Sequence, residues 1–304
     1  MLDTAQMDFS LDLFHGQLHR SSADVYVRLS GDFDAQSVWH EGWRLAGTLA
    51  GPHAQNSHTL PAEIPLEDMG AGESLLARVR LPDPCSWTPS LPLQYDVHIE
   101  LLVEGETAWQ AEQTIGLRQL GVLEQRLQLE NEPWSLIGAH QRCLDNLSMP
   151  PADQVLFLES VEQSLLEQCS REGGWLLTEL NGSLSDSALV SMLRECARAA
   201  ANWCVVLRDV DPGRTIPVEV APNLLIGQWW VAGELVEPAD WADIAFVELS
   251  DPAEFAELTA SCQIPVVALQ PDSGQGDWDD ARAACQQLHH QLAAFRQFAG
   301  YIVV

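Results

Sequence analysis

Four stretches in the second half of the chain, WCVVLRD (203–209), ADIAFVEL (242–249), IPVVALQ (264–270) and AGYIVV (299–304), are almost unbroken apolar runs. A strand without polar alternation is buried on both faces, as in parallel sheets whose connections lay helices over them. WLLTEL (175–180) and NLLIGQWWV (223–231) read as further strands. Between them lie segments of helical period. SDSALVSMLRECARAAA (185–201) opens on Ser and Asp residues able to cap a first turn, and DWDDARAACQQLHHQLAAFRQF (277–298) reads as another helix. QVLFLESVEQSLLEQCSREGG (154–174) places Val155, Leu158, Val161, Leu165 and Leu166 on one helical stripe. Repeated βα units mean a parallel sheet, either closed or doubly wound. The roughly 180 residues available are few for an eight-stranded βα barrel, usually ~250 residues. No GxGxxG or Walker-type loop follows these strands, which removes the simplest grounds for a nucleotide-binding open sheet.

The first 120 or so residues have another period. DVYVRLSG (24–31), WRLAGTLAG (43–51), SLLARVRLP (74–82) and LQYDVHIELLVEG (93–105) alternate in polarity and are separated by Gly, Pro, Asp and Asn, as in an antiparallel sandwich. Two domains follow, 1–121 and 122–304.

Charge excludes some functions. The net charge of −29 comes from 44 acidic side chains against 15 basic ones, and no lysine is present. Phosphate neutralisation needs clustered cations, whereas these arginines are scattered singly, so no nucleic-acid partner is expected. MLDTAQMDFSLDLF carries acids where a secretory signal carries basic residues, and no apolar run approaches the ~18–20 residues of a membrane span. The expectation is a soluble, cytoplasmic chain without a membrane partner. Seven cysteines without a CxxC pair suggest neither a disulfide framework nor a structural zinc site. His289 and His290 are adjacent on a helix and cannot chelate together at i, i+4 spacing. No metal and no cofactor are expected.

Residues 82–140 carry a family resemblance. Trp87, Pro89, Pro92, Tyr95, Gly116, Leu117, Arg118, Asn131, Pro133, Gly138 and His140 follow the order of a Trp-Ser-Pro motif, a P-x-L-Y strand, a G-F-R turn, an N-G-K-P segment and a G-V-N-x-H strand. This resembles the join between the immunoglobulin-like domain and the barrel in glycoside hydrolase family 2, the β-galactosidase and β-glucuronidase group. GGWLLTELNGSLSD (173–186) is similar to that family's second barrel strand and loop, with Thr178 at its arginine and Asn181 at its histidine. LLIGQWWVAGE (224–234) is similar to the strand ending in the general acid/base, which aligns Glu234 with that residue. IPVVALQPDSG (264–274) resembles the strand presenting the nucleophilic Glu, and there the aligned residue is Gln270.

The resemblance implies an immunoglobulin-like β-sandwich followed by a small, degenerate (β/α) TIM-like barrel. It also implies a carbohydrate partner; nothing specifies a protein partner. Retaining hydrolysis requires two carboxyl groups ~5–5.5 Å apart, and an amide at Gln270 cannot supply the nucleophile. The leading expectation is a carbohydrate-binding or interaction protein without turnover. One alternative is an active β-glycosidase with a relocated acid pair that includes Glu234; another is a purely structural relic. Glu179, Asp209 and Glu248 stand at or near strand ends, although a carboxylate there is more often solvated or loop-capping. His140, Asn181, Trp230 and Glu248 are the candidate sugar-binding residues. The adjacent Trp229 and Trp230 must point to opposite faces of a strand, one of them into a core.

Overall fold

The computed structural model of the chain describes residues 9–31, 42–140, 149–160, 162–211, 213–231, 237–248, 262–271, 277–294 and 298–304. Two compact units are present, Met1–Trp87 with Leu91–Arg118, and Thr88–Ser90 with Gln119–Val304.

Among the described residues of the first unit, eight strands form two antiparallel sheets. One runs β1 (Phe9–His19), β2 (Ser22–Gly31), β6 (Leu75–Pro82), β5 (Glu67–Ala71). The other runs β4 (Ala62–Pro65), β3 (Trp43–His53), β7 (Gln94–Val103), β8 (Glu106–Ile115). The alternation of the sequence becomes the two sides of each sheet. Val25, Val27 and Leu29 of β2, Ala77 and Val79 of β6, and Val97, Ile99 and Leu101 of β7 meet in one core. This is the immunoglobulin-like sandwich. Trp87 and Tyr95, two of the residues that carry the family resemblance, are each 1% exposed, and the Tyr95 hydroxyl accepts the Cys85 N–H at 2.9 Å. Buried His15 faces Gly16 O through Nδ1 at 2.9 Å, and its Nε2 accepts the Arg118 N–H at 3.4 Å.

The second unit begins with a three-stranded antiparallel sheet, β9 (Leu120–Leu123), β10 (Arg126–Leu129) and β11 (Glu132–Trp134). Then come β12 (Leu136–His140), β13 (Val155–Leu158), α1 (Gln163–Glu172), β14 (Trp175–Asn181), α2 (Asp186–Arg198), β15 (Asn202–Arg208), β16 (Leu225–Val231), β17 (Ile244–Glu248), β18 (Val266–Gln270), α3 (Trp278–Leu292) and β19 (Gly300–Val303). Strands β12 to β19 close into a barrel of eight parallel strands. Sequence length left closure open; the pairing of β19 with β12 decides it.

Residues 154–174 depart from the helix expected there. Val155–Leu158 are a strand with every residue 0% exposed, and the helix starts only at Gln163. A short apolar run fits either period, and burial on both faces favours the strand. Val161 lies outside the described residues. The caps of the other two helices follow the sequence. Ser185 accepts the Ala188 N–H, and Asp277 forms a capping box with Asp280. Gly173 ends α1 at φ +91°, where a Cβ would overlap Pro89 O, so no other residue fits without rebuilding the turn.

The outer face of the barrel is identified by what covers it. Thr178, Leu180, Val205, Leu207 and Ile226 lie on the side of α2; Ala245, Val247, Val266, Ala268, Tyr301 and Val303 lie with Cys285, Leu288 and Leu292 of α3. The alternate residues therefore face the axis. Val206, Gly227 and Phe246 form part of that interior: a Cβ on Gly227 would stand 2.5 Å from the Phe246 ring and 3.3 Å from Val206 Cγ2. At the end where strands begin, Trp134 packs 5.5 Å from Trp175 and 5.2 Å from Trp203.

Two outcomes follow from this packing. Gly227→Ala is expected to cost about 1–3 kcal/mol in urea unfolding, and Phe246→Leu in the same chain should relieve part of that cost through coupling. Burial, partly offset by the Gly16 carbonyl and aided by the Arg118 charge, lowers His15 from 6.5 to about 4. The unfolded chain thus takes up the proton first on acidification, so this stabilisation is complete above pH 6.5 and disappears as pH falls to about 4. It amounts to at most about 3 kcal/mol. Between pH 7 and about 4.5, His15→Gln should lose less unfolding free energy than the native chain.

Candidate functional site

In a parallel βα barrel, chemistry is placed where the strands end. Register carries the axis-facing assignment around the closed sheet, because directly paired neighbours share a face. Asn181 pairs with Arg208, Trp229 with Phe246, Val231 with Glu248, and Glu248 with Leu269. Leu269 pairs with Ile302, Gly138 with Ile302, and His140 with Phe157. The mouth is therefore lined by His140, Phe157, Glu179, Asn181, Arg208, Trp229, Glu248 and Leu269.

Side-chain contacts agree with that assignment. The His140 ring, 4% exposed, meets Phe157 edge-on at 5.0 Å, and its Nε2 lies 3.6 Å from Glu159 Oε1. Phe157 packs at 6.0 Å against Trp229 across the barrel. The Arg208 guanidinium stands 4.7 Å from the Trp229 ring centroid, and its Nη1 lies 3.7 Å from Glu179 Oε1. That separation makes an ion pair and not a hydrogen bond. Among the described residues, no hydrogen-bond partner meets the buried Trp229 indole nitrogen.

Of the residues expected from sequence, the structure brings His140, Asn181 and Glu248 to this mouth. Asn181 is exposed and its Oδ1 accepts the Ser183 N–H at 2.8 Å, an Asx-type turn leading out of β14. Trp230 is elsewhere: it is 1% exposed and packs with Ala245 and Val247 on the outer face. The indole at the mouth is Trp229, as the period of a strand requires once its neighbour is committed to the outer core. Gln270 pairs with Val303, an outer-face residue, so it shares the helix-covered side, and the inner residue at the end of β18 is Leu269. Thr178 is fully buried on the outer face, 3.2 Å from the Asn202 amide. Asp209 is exposed at φ +55° just beyond β15. Glu234 and Cys143 lie outside the described residues.

Sequence reading missed Arg208, Phe157 and Glu159. A lone charge closing the otherwise apolar WCVVLR is the signal that could have marked Arg208. No comparable signal marked Phe157, which sat inside a segment taken for helix.

Other chemistries find little here. Among the described residues, no group of three or more His, Cys, Asp or Glu is arranged to hold a metal ion. Burial pushes the Cys169 and Cys196 thiols up to about 12, Cys285 up to about 11 and Cys204 well above its usual value, so these are not poised as thiolate nucleophiles. No described helix is long and apolar enough to cross a membrane.

No protein-family model matches the chain, and no curated protein matches it. Solved structures do. A glycosyl hydrolase family 2 member from Bacteroides cellulosilyticus is similar over 98% of this chain and 44% of its own, with a TM-score of 0.65 and 12% identity. The beta-glucuronidase of Bifidobacterium dentium, solved with coumarin-3-O-glucuronide, is similar over 97% of this chain and 59% of its own, with a TM-score of 0.62 and 11% identity. For the beta-D-glucuronidase of Dictyoglomus thermophilum the shares are 98% and 62%, with a TM-score of 0.60 and 12% identity. The chain has the fold of glycosyl hydrolase family 2. It spans about half the length of the structures it matches.

Within the family 2 fold, one detail departs from the alignment read in the sequence. GGWLLTELNGSLSD, similar to the family's second barrel strand, contains the third strand of this barrel, because β13 precedes it.

The two tryptophans give a direct check on which face is which. Trp230→Ala should cost about 3–5 kcal/mol in urea unfolding, as for a fully buried indole, and Trp229→Ala less than half of that. The reverse order would mean that the two faces of β16 are exchanged.

Proposed function

We propose that this chain is a non-hydrolytic relative of family 2 enzymes whose barrel mouth binds carbohydrate. The observation that carries the proposal is at the end of β18, where the axis-facing residue is Leu269 and its neighbour Gln270 belongs to the other face. Either residue, taken as the counterpart of the nucleophile, lacks a carboxylate, and a neutral amide or an alkyl group cannot form a glycosyl-enzyme bond. Two of the remaining mouth carboxylates are engaged, Glu179 by Arg208 and Glu159 by His140.

Features suited to sugar binding remain. Half-buried Trp229, backed by the fully buried Phe157, offers apolar ring surface, while Asn181 and Glu248 offer hydrogen-bonding groups at the ends of their strands, the combination on which pyranose rings are usually held. The solved beta-glucuronidases lend the carbohydrate reading their names and fold.

The test has two arms on the full chain. With aryl β-galactosides, β-glucosides and β-glucuronides, hydrolysis is expected to stay at background; turnover that Glu234→Gln abolishes would overturn the proposal in favour of a relocated acid pair. Calorimetric titration with mono- and disaccharides is expected to show weak binding that Trp229→Ala removes. Absence of binding to any sugar would leave a purely structural role.

A further inference from the structure

Trp229 is the indole facing the mouth, yet its ring is already occupied. The Arg208 guanidinium lies over it at 4.7 Å from the centroid, within the range of a cation–π contact, and Phe157 packs on it as well. A ring face that holds a guanidinium cannot stack a sugar at the same time.

Arg208 is held from two sides. Glu179, one strand away and itself mostly buried, draws Nη1 to 3.7 Å. Neither contact is strong: the ion pair is longer than a hydrogen bond, and the Arg208 side chain is 40% exposed. A side chain on a flexible stem, loosely paired and half in water, can leave the ring without breaking the core.

We propose that Arg208 is a self-occluding lid: it covers the Trp229 face on which a neutral pyranose would stack, and the ligand must displace it. This inference rests on the carbohydrate reading above. It specifies the ligand as uncharged, because Glu179 lies beside Arg208 and Glu248 ends the strand next to that of Trp229, so an anionic sugar would meet carboxylates once Arg208 has swung away. Arg208 thus acts as the competitor of the ligand and not as its receptor.

The experiment is calorimetric titration of the full chain with methyl β-D-glucopyranoside, methyl β-D-galactopyranoside, cellobiose and D-glucuronate, alongside acrylamide quenching of the Trp229 fluorescence read as the difference from Trp229→Phe. Arg208→Ala should bind the neutral sugars about fivefold more tightly than the native chain, the value of one partly exposed cation–π contact. Glu179→Gln, which loosens Arg208 without removing it, should move affinity in the same direction by less. Trp229→Ala should abolish binding with or without Arg208. Acrylamide should quench Trp229 more strongly in Arg208→Ala than in the native chain. Equal or weaker sugar binding by Arg208→Ala overturns the lid while the carbohydrate reading stands, as does glucuronate binding that requires Arg208. No binding of any sugar by any form overturns the carbohydrate reading, and with it the lid's role towards a ligand. Unchanged quenching in Arg208→Ala overturns the covering of Trp229 itself.

Discussion

The pairing of β19 with β12, from Leu136 opposite Gly300 to Ala139 opposite Val303, is the constraint from which the site follows. In an open sheet a strand can slip by one residue at an edge, and every side chain changes face. In a closed barrel each strand is held on both sides, so one assignment of faces propagates around all eight. The outer face is fixed by the apolar stripes of α2 and α3, and the inner face is what remains. Trp229 inward and Trp230 outward, like Leu269 inward and Gln270 outward, are consequences of that closure.

Much of the fold was legible in sequence because its signals are local. Alternating polarity in β2, β6 and β7 becomes the inner face of the sandwich, and unbroken apolar runs become β15, β17, β18 and β19. Ser185 and Asp277 announce their helices by chemistry that acts within one turn. The error at 154–174 has the same origin. Four consecutive apolar residues satisfy a helical stripe and a doubly buried strand equally, and only the vacancy between β12 and β14, a long-range fact, selects the strand.

The candidate site was legible only where a residue's place did not depend on register. His140, Asn181 and Glu248 end their strands on the inner face; ordinal matching to the family pattern pointed to the first two, and position at a strand end to Glu248. Choosing between Trp229 and Trp230 requires knowing which is paired with Val247, and choosing between Leu269 and Gln270 requires knowing what lies beside Val303. Neither is written in the neighbouring residues. Arg208 was hidden for a different reason: its significance lies in Trp229 and Glu179, contributed by the two strands on either side of its own.

The interior packing bears on why the fold could persist on the non-hydrolytic reading. Phe157 reaches across to Trp229, and Phe246 occupies the space that Gly227 leaves open, so the axis is filled by side chains. Filling the axis with rings supplies apolar burial that a deep polar pocket would forgo, and it stabilises the barrel whether or not a sugar is present. On the proposed carbohydrate reading, the same rings would keep a ligand at the rim. A rim site presents one stacking face and a few exposed polar groups, which suits weak recognition of a sugar but not the enclosure that oxocarbenium chemistry between two carboxylates demands. On that reading, an alkyl side chain at Leu269, the inner residue at the end of β18, withholds little that the packed barrel could have used.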